Sequence, residues 1–455
     1  MDGRGRSQRE EGFLFLKKET GLIMEQAGNG KNSGSARLIS RRDFIKTSAA
    51  VALAAGTSAQ ASRVFAAGSD IVRVGLIGCG GQGTRDAISC VNSSEGVEIV
   101  AMGDLFRDRL DRSLDKLKKE VGQKVKVTGD TCFAGFDAYK RVLANDVDVV
   151  LLVTPPHFRP EHLKAAVEKG KHVFMEKPVA VDPAGIRSII ASSELAEQKG
   201  LSIVAGTQRR HEAHYTEIMK RIHRGDIGEI IGGQCYWNGG DMIGYWKWYE
   251  QDGSLYGMEW QLRNWPWFTW LSGDHIVEQH VHNLDIMNWA LQSHPIQVMG
   301  MGGRAVRKEG NIYDHFAVEY EYPNGVRVMG MCRQIKGCHN RVGERIVGTK
   351  GVAHGRGVIE GQNAYEYPGK SPNPYVQEQA DLIASIRQGK PINEGRQVAE
   401  STMTAIMGRM SAYTGRALKW DWAMNASTLD LRPPKYEFGD LPAAPAAMPG
   451  KTQLI

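Results

Sequence analysis

Cysteine is scarce: six residues in 455, with 17 prolines and 8% aromatic residues. Cysteine at that density excludes a disulfide scaffold. Few prolines beside 42% apolar residues exclude disordered and collagen-like chains. No apolar run approaches the roughly 20 residues that a membrane span needs. A charge excess is lacking too. Lys and Arg number 57 against 51 Asp and Glu, a net charge of +6. Residues 1–67 hold 11 of the basic and 6 of the acidic residues, so the remainder is almost neutral. That removes the electrostatic case for a nucleic-acid partner. At roughly 150 residues per domain, the chain beyond residue 67 suffices for two domains with separate cores.

Of the cysteines, Cys332 and Cys338 flank a short segment and could pair in an oxidising compartment. Six free, mostly buried thiols are the alternative. Near the N-terminus, Ser40-Arg41-Arg42-Asp43-Phe44-Ile45-Lys46 precedes a short apolar stretch of small residues, Thr47 to Ala61. Ala59-Gln60-Ala61 and Val64-Phe65-Ala66 both fit a small-residue cleavage site. A positive stretch, a short apolar segment and a cleavage site make an export signal, and the arginine pair resembles a twin-arginine signal. The expectation is an N-terminal extension at 1–35, with Met24 as a second start, a signal at 36–67 and a periplasmic or otherwise exported protein.

Ile71 to Ile77 is a short apolar run followed at once by Gly78-Cys79-Gly80-Gly81-Gln82-Gly83, and Thr84 to Val91 can open a helix. This is G-x-G-x-x-G in a strand–turn–helix setting. Its glycines let the backbone turn tightly and approach a pyrophosphate at a helix N-terminus. A second strand, Val97 to Met102, leads to Asp104, which can hydrogen-bond ribose hydroxyls and favours NAD. Arg107 and Arg109 stand close by and leave NADP open. Val147–Val153 and Lys171–Met175 read as buried strands around a helix at 160–170. Beyond their carboxyl ends lie Thr154-Pro155-Pro156 and Glu176-Lys177-Pro178, where ligands of doubly wound sheets bind.

Val153-Thr154-Pro155-Pro156, then Gly170-Lys-His-Val-Phe-Met-Glu-Lys-Pro178, resembles the glucose–fructose oxidoreductase, inositol dehydrogenase and rhizopine-catabolism (Gfo/Idh/MocA) family from about residue 70 to about 420. The resemblance implies an α/β fold: an N-terminal Rossmann domain at 68–190, a C-terminal α/β domain with a large, mostly antiparallel open sheet at 191–424, and a tail at 425–455. It implies homo-oligomerisation through that sheet, as a dimer or tetramer. A position often histidine in the family is Arg159 here, with His157 two residues before it. The expected cofactor residues are Gly78, Gly80, Gly81, Gln82, Gly83, Asp104, Thr154, Pro155, His157, Glu176 and Lys177.

In the second domain, strands are expected at 227–237, 296–306, 315–322 and 326–334, with Pro323-Asn324-Gly325 as a hairpin turn. Residues 375–416 read as helices. The segment Asp274-His-Ile-Val-Glu278-Gln-His280-Val-His282-Asn-Leu-Asp285 carries the chemistry. On one helix, Glu278, His282 and Asp285 would share a face. The segment resembles the family's Asp-x-Gly-x-His-x-x-Asp motif, with Glu278 for the first Asp and His280 for the Gly. Removing hydride from a carbinol carbon requires loss of the hydroxyl proton. His282, with an ordinary pKa of about 6.5, can take it. Glu278 would orient the imidazole, and Lys177 would stabilise the reacting oxygen. Were this stretch extended, Glu278, His280 and His282 could clamp a metal; on a helix His280 points away, and no metal is expected.

Seven of the ten tryptophans fall between Trp237 and Trp270. With Arg263 and Trp265 among them, that stretch reads as a carbohydrate-site loop, or equally as a subunit contact. Arg210, His211 and Asp285 are further candidates for substrate hydroxyls. The leading reading is an NAD(P)-dependent oxidoreductase of a small-molecule carbohydrate or polyol, with the cofactor tightly held because a folded protein carries it through export. The alternatives are an NAD-dependent glycosidase or lyase acting through a transient keto-sugar, and a non-catalytic carbohydrate-binding protein.

Overall fold

Strand Val72–Ile77 (β1) is buried at five of its six positions, and Val149–Leu152 (β4) at all four. Runs so free of polar residues suit only strands covered on both faces. The computed structural model describes residues 71–241 and 247–455; the extension 1–35 and the signal 36–67 lie outside the described residues, as does Trp246. From β1 the chain passes through helix Gly81–Ser93 (α1), Val97–Asp104 (β2), Arg107–Val121 (α2), Cys132–Ala134 (β3) and Ala138–Leu143 (α3). After β4 come Arg159–Glu168 (α4), His172–Met175 (β5), Pro183–Gln198 (α5) and Ile203–Ala205 (β6). The six strands are parallel in the order β3-β2-β1-β4-β5-β6. Strand order reverses between β1 and β4, so the loops after both open into one crevice.

The sixth strand lies past residue 190, where the sequence reading ended the Rossmann domain. A strand closing one sheet and a strand opening the next carry the same apolar pattern, so composition marks no boundary there.

Next come Ala213–His223 (α6), Ile230–Gly239 (β7), Gly257–Arg263 (α7), His275–Glu278 (α8) and Val281–Leu291 (α9). Gln297–Gly303 (β8), His315–Glu321 (β9), Arg327–Gln334 (β10), Arg341–Gly348 (β11), Gly351–His354 (β12), Val358–Gly361 (β13) and Tyr365–Glu366 (β14) come after them in the chain. Pro374–Gln388 (α10), Gly395–Thr414 (α11) and Leu418–Lys419 (β15) complete the two sheets and their helical cover. The second sheet runs β14-β13-β12-β11-β7-β10-β9-β8-β15 and is antiparallel except for β7 with β10. The expected α/β architecture, parallel sheet then mostly antiparallel sheet, is thus present. Strands β11–β14 had no counterpart in the sequence reading, because glycines at 343, 348, 351 and 361 break the alternation that marks a strand.

One face of the second sheet is packed: Val298, Val318, Tyr320, Val328 and Cys332 are buried there, with α9 and α11 against it. Helices α10 and α11 also reach back onto α1 and α5. The tail crosses back over both domains with little regular structure. Its Leu431 N–H donates to Asp182 Oδ2 at 2.8 Å, and Asn311 Nδ2 donates to Ala444 O at 3.1 Å. All six cysteines are free; Cys332 is buried inside the sheet while Cys338 is exposed.

Candidate active site

A crevice of about 790 Å³ lies along the carboxyl ends of the parallel strands. Gly78, at φ +100°, turns the chain out of β1; a side chain at Gly83 would lie 1.9 Å from Gly78 O, so loop and helix touch backbone to backbone. Added Cβ atoms at Gly80 and Gly81 meet nothing within 4 Å, because both face the crevice. No side chain caps α1, so its first N–H groups are left for an anionic ligand. A dinucleotide's pyrophosphate fits this cradle.

At one end of the crevice Asp104 accepts from Cys79 N–H at 2.6 Å and Phe106 N–H at 2.8 Å. Its burial raises the carboxyl above the ordinary range despite those bonds. Gln82 Nε2 donates to Asp86 Oδ1 at 2.7 Å and Glu176 Oε1 at 3.1 Å, joining the glycine loop to the end of β5. Arg159 is buried and does what a histidine could not. Its Nη1 and Nη2 donate to Thr154 O at 2.8 and 3.0 Å and its Nε to Glu176 O at 2.5 Å, tying the ends of β4 and β5.

At the other end Lys177 meets the second domain. Its Nζ donates to Glu278 O at 2.6 Å and to Glu278 Oε1 at 3.0 Å, both side chains nearly buried. Glu278 closes the single turn α8, whose entry is fixed by Asp274. The Asp274 carboxylate accepts from His275 N–H, Tyr313 N–H and the Tyr413 hydroxyl, which offsets its own φ of +75°.

The helix expected across 274–285 is interrupted at Gln279 and His280. The break resets the phase, so three residues do not share one face. Glu278 and His282 both line the crevice, but Asp285 turns away, held by Arg210 at 2.9 Å and by Ser401 Oγ at 2.8 Å. His280 points into the core beside Cys235 Sγ, 3.7 Å away, so the H-x-H pair diverges. Glu278 does not orient His282, because its carboxylate bonds Lys177 and Gln279 Nε2. The imidazole instead stacks on Trp237, with centroids 5.6 Å apart and planes 23° apart. Burial, then the charges of Lys177 and Arg209, hold the His282 imidazolium well below the usual histidine range.

The crevice therefore gathers Gly78, Gly80, Gly81, Gln82, Gly83, Asp104, Thr154, Pro155, Glu176, Lys177, Trp265, Glu278 and His282. Among the expected residues, His157, Arg210, His211, Arg263 and Asp285 are not on its wall. His157 is buried behind it, 2.8 Å from the Tyr436 hydroxyl, and its pKa is pushed down to about 4 by burial. His211 lies between Asp381 Oδ2 at 2.6 Å and Glu394 Oε1 at 3.3 Å. Burial opposes its charge, but the two carboxylates prevail and raise its pKa to about 9. Sequence reasoning missed Phe106, Phe136, Gln279 and Tyr375, which also line the crevice. Phe106 and Phe136 lie just past the carboxyl ends of β2 and β3 and were open to the strand-end argument that found Lys177.

Residues 72–207 match the family model "Oxidoreductase family, NAD-binding Rossmann fold", and residues 215–354 match the "GFO/IDH/MocA C-terminal domain". Residues 38–58 match the signal sequence of the TAT (twin-arginine translocation) pathway, which marks the chain for export by that route. The chain is 25% identical over 231 residues to scyllo-inositol 2-dehydrogenase (NAD(+)) of Bacillus subtilis, covering 51% of this chain and 57% of that one. It is 27% identical over 217 residues to a glycosyl hydrolase family 109 protein of Shewanella baltica, covering 43% and 45%. The chain spans about half the length of the curated relatives it matches. The aldose-aldose oxidoreductase of Caulobacter crescentus, complexed with glycerol, shares the fold, with a TM-score of 0.60 at 18% identity over 77% of this chain and 99% of that one. With its first domain and its sheet domain both matching, the chain belongs to the Gfo/Idh/MocA oxidoreductase family.

Proposed function

We propose that this protein is an NAD-dependent oxidoreductase acting on a CH–OH group of a sugar, sugar derivative or polyol, exported to the periplasm. The reading rests on one observation above others: Lys177 from the first domain and His282 from the second line the same crevice as the glycine cradle. The cradle and Asp104 would hold NAD, which supplies a hydride acceptor when bound. His282, kept neutral by its surroundings, accepts the hydroxyl proton of the substrate. Lys177, oriented by the Glu278 carbonyl and carboxylate, donates a hydrogen bond to the same oxygen as negative charge develops on it. Trp237, stacked on His282, also lines the crevice and would contribute apolar indole surface to the C–H face of a ring. Incubating purified protein with a panel of inositols and aldoses tests this. Formation of reduced nicotinamide with at least one supports it, and a silent panel contradicts it.

A second reading, cleavage of a glycosidic bond with no net redox change, is favoured by the likeness to the family 109 glycosyl hydrolase protein. Aglycone release without accumulating NADH distinguishes it.

The outer face of the second sheet supports a homo-oligomer. Met299 and Met301 of β8 and Met329 and Met331 of β10 stand on it with 58%, 75%, 37% and 37% of their surface exposed. The register aligns Met301, Ala317, Met331 and Tyr236 in one row across four strands. A second copy of this face is the occupant proposed, since isologous contacts need a self-complementary apolar surface.

A further inference from the structure

The tryptophan-rich stretch reaches the crevice at its Asp104 end. Leu262 and Trp265 line the wall and pack in one apolar cluster with Phe106. Arg263 guanidinium lies 4.0 Å from the Phe106 ring centroid and pairs with Asp108 at 3.3 Å. Arg109 reaches Arg263 O at 3.5 Å. In this fold the acidic residue ending the second strand marks the ribose of the adenosine. Helix α7 of the second domain thus packs on Phe106 and contributes Leu262 to the crevice wall.

Outside this roof runs the tail. The Phe438 ring stacks on Phe106 with centroids 6.0 Å apart and planes 5° apart, and lies 5.3 Å from Phe136. Met258 N–H donates to Gly439 O at 3.0 Å, and Gln261 Nε2 donates to Leu441 O at 2.7 Å. A side chain at Gly257 would meet Gly439 O at 1.9 Å, so helix and tail are packed backbone to backbone. First domain, α7 and tail therefore meet at Phe106, while Phe438 keeps 47% of its surface exposed.

We propose that α7 and residues 436–441 form a latch over the adenosine of a bound dinucleotide, slowing its release so that the cofactor crosses the membrane and turns over without exchanging. The latch rests on the NAD reading of the crevice. Phe106 is clamped by Arg263 on one side and Phe438 on another, so the packed tail slows passage of the dinucleotide in either direction. Local release of the half-exposed Phe438 is the way out.

The experiment uses the full chain purified natively, with dinucleotide extracted and quantified, and with exchange followed against labelled NAD. The wild type is expected to carry dinucleotide through gel filtration. Phe438→Ala and Arg263→Ala, which open the latch from the tail and from α7, are each expected to speed release by about tenfold, the loss of one aromatic or cation–π contact. Arg263→Ala decides the matter if Phe438→Ala does not fold. Wild-type exchange within the mixing time, or release at the wild-type rate in a folded variant, overturns the latch while leaving the oxidoreductase reading standing. A protein that binds no dinucleotide at all overturns both.

Discussion

Lys177 Nζ is hydrogen-bonded to both the main-chain carbonyl and the carboxylate of Glu278, a residue 101 positions away. The two domains meet at this ammonium, and one of its two anchors cannot be removed by mutation. Glu278→Gln keeps the carbonyl and an amide oxygen near Nζ, so kcat is expected to fall only by about tenfold, against about 10²–10⁴ for loss of an acid–base group. Steady-state kinetics of the two variants Glu278→Gln and Glu278→Ala, the second falling further, check this.

His282 is held neutral by burial and by Lys177 and Arg209, so protonation does not compete near neutral pH. The acid limb of kcat/KM should lie well below the ordinary histidine value of about 6.5. A limb at or above that value would mean that the imidazole is not the acceptor. Trp237→Ala, which removes the stacked indole, should shift that limb and raise KM for substrate.

His211 gives a stability signature of the opposite sign. Its pKa is raised to about 9 by Asp381 and Glu394 against the cost of burial. Below about pH 6.5 the folded and unfolded chains both hold the proton, so the clamp contributes fully; above about 9 neither does and the contribution, at most about 3 kcal/mol, is gone. Denaturant midpoints should therefore drop between those limits, and His211→Gln should flatten the drop.

Arg159 donates to the buried carbonyl of Glu176 and the partly buried carbonyl of Thr154 at the strand ends. Arg159→Met leaves the Glu176 carbonyl unsatisfied, at about 1–3 kcal/mol, and unties the two strand ends. A lower melting temperature and weaker retention of the dinucleotide are expected together. Arg159→Lys should rescue little, since one ammonium cannot replace a planar fork.

On the open sheet face, Met301→Glu combined with Met331→Glu places carboxylates in one cross-strand row. Sedimentation velocity should show the wild type as an oligomer and the double variant shifted to monomer. A monomeric wild type removes the interface.

The parts of this architecture carried by local pattern were legible in the chain: the glycine loop, Asp104 at a strand end, Glu176-Lys177 at another, and His282. What was not legible depended on long-range partners. Arg210 and Asp285 each looked like a free polar group in sequence, yet they neutralise one another across 75 positions. His157 sits behind the wall because Tyr436, 279 residues later, covers it. The interruption at Gln279 and His280 had no proline or glycine to announce it, and it decided that Glu278 would serve Lys177 rather than His282. Arg263 was expected at the sugar, but its guanidinium packs on Phe106, off the crevice wall, while Trp265 lines that wall.

The role of Lys177 beside the dinucleotide is tested by a single-turnover measurement on dinucleotide-loaded protein, following reduced nicotinamide absorbance after mixing with an oxidisable polyol or aldose, for wild type and Lys177→Ala side by side. The wild-type transient is expected to slow by about 10²–10⁴ in the variant while the dinucleotide stays bound. Equal transients in the two proteins would contradict it.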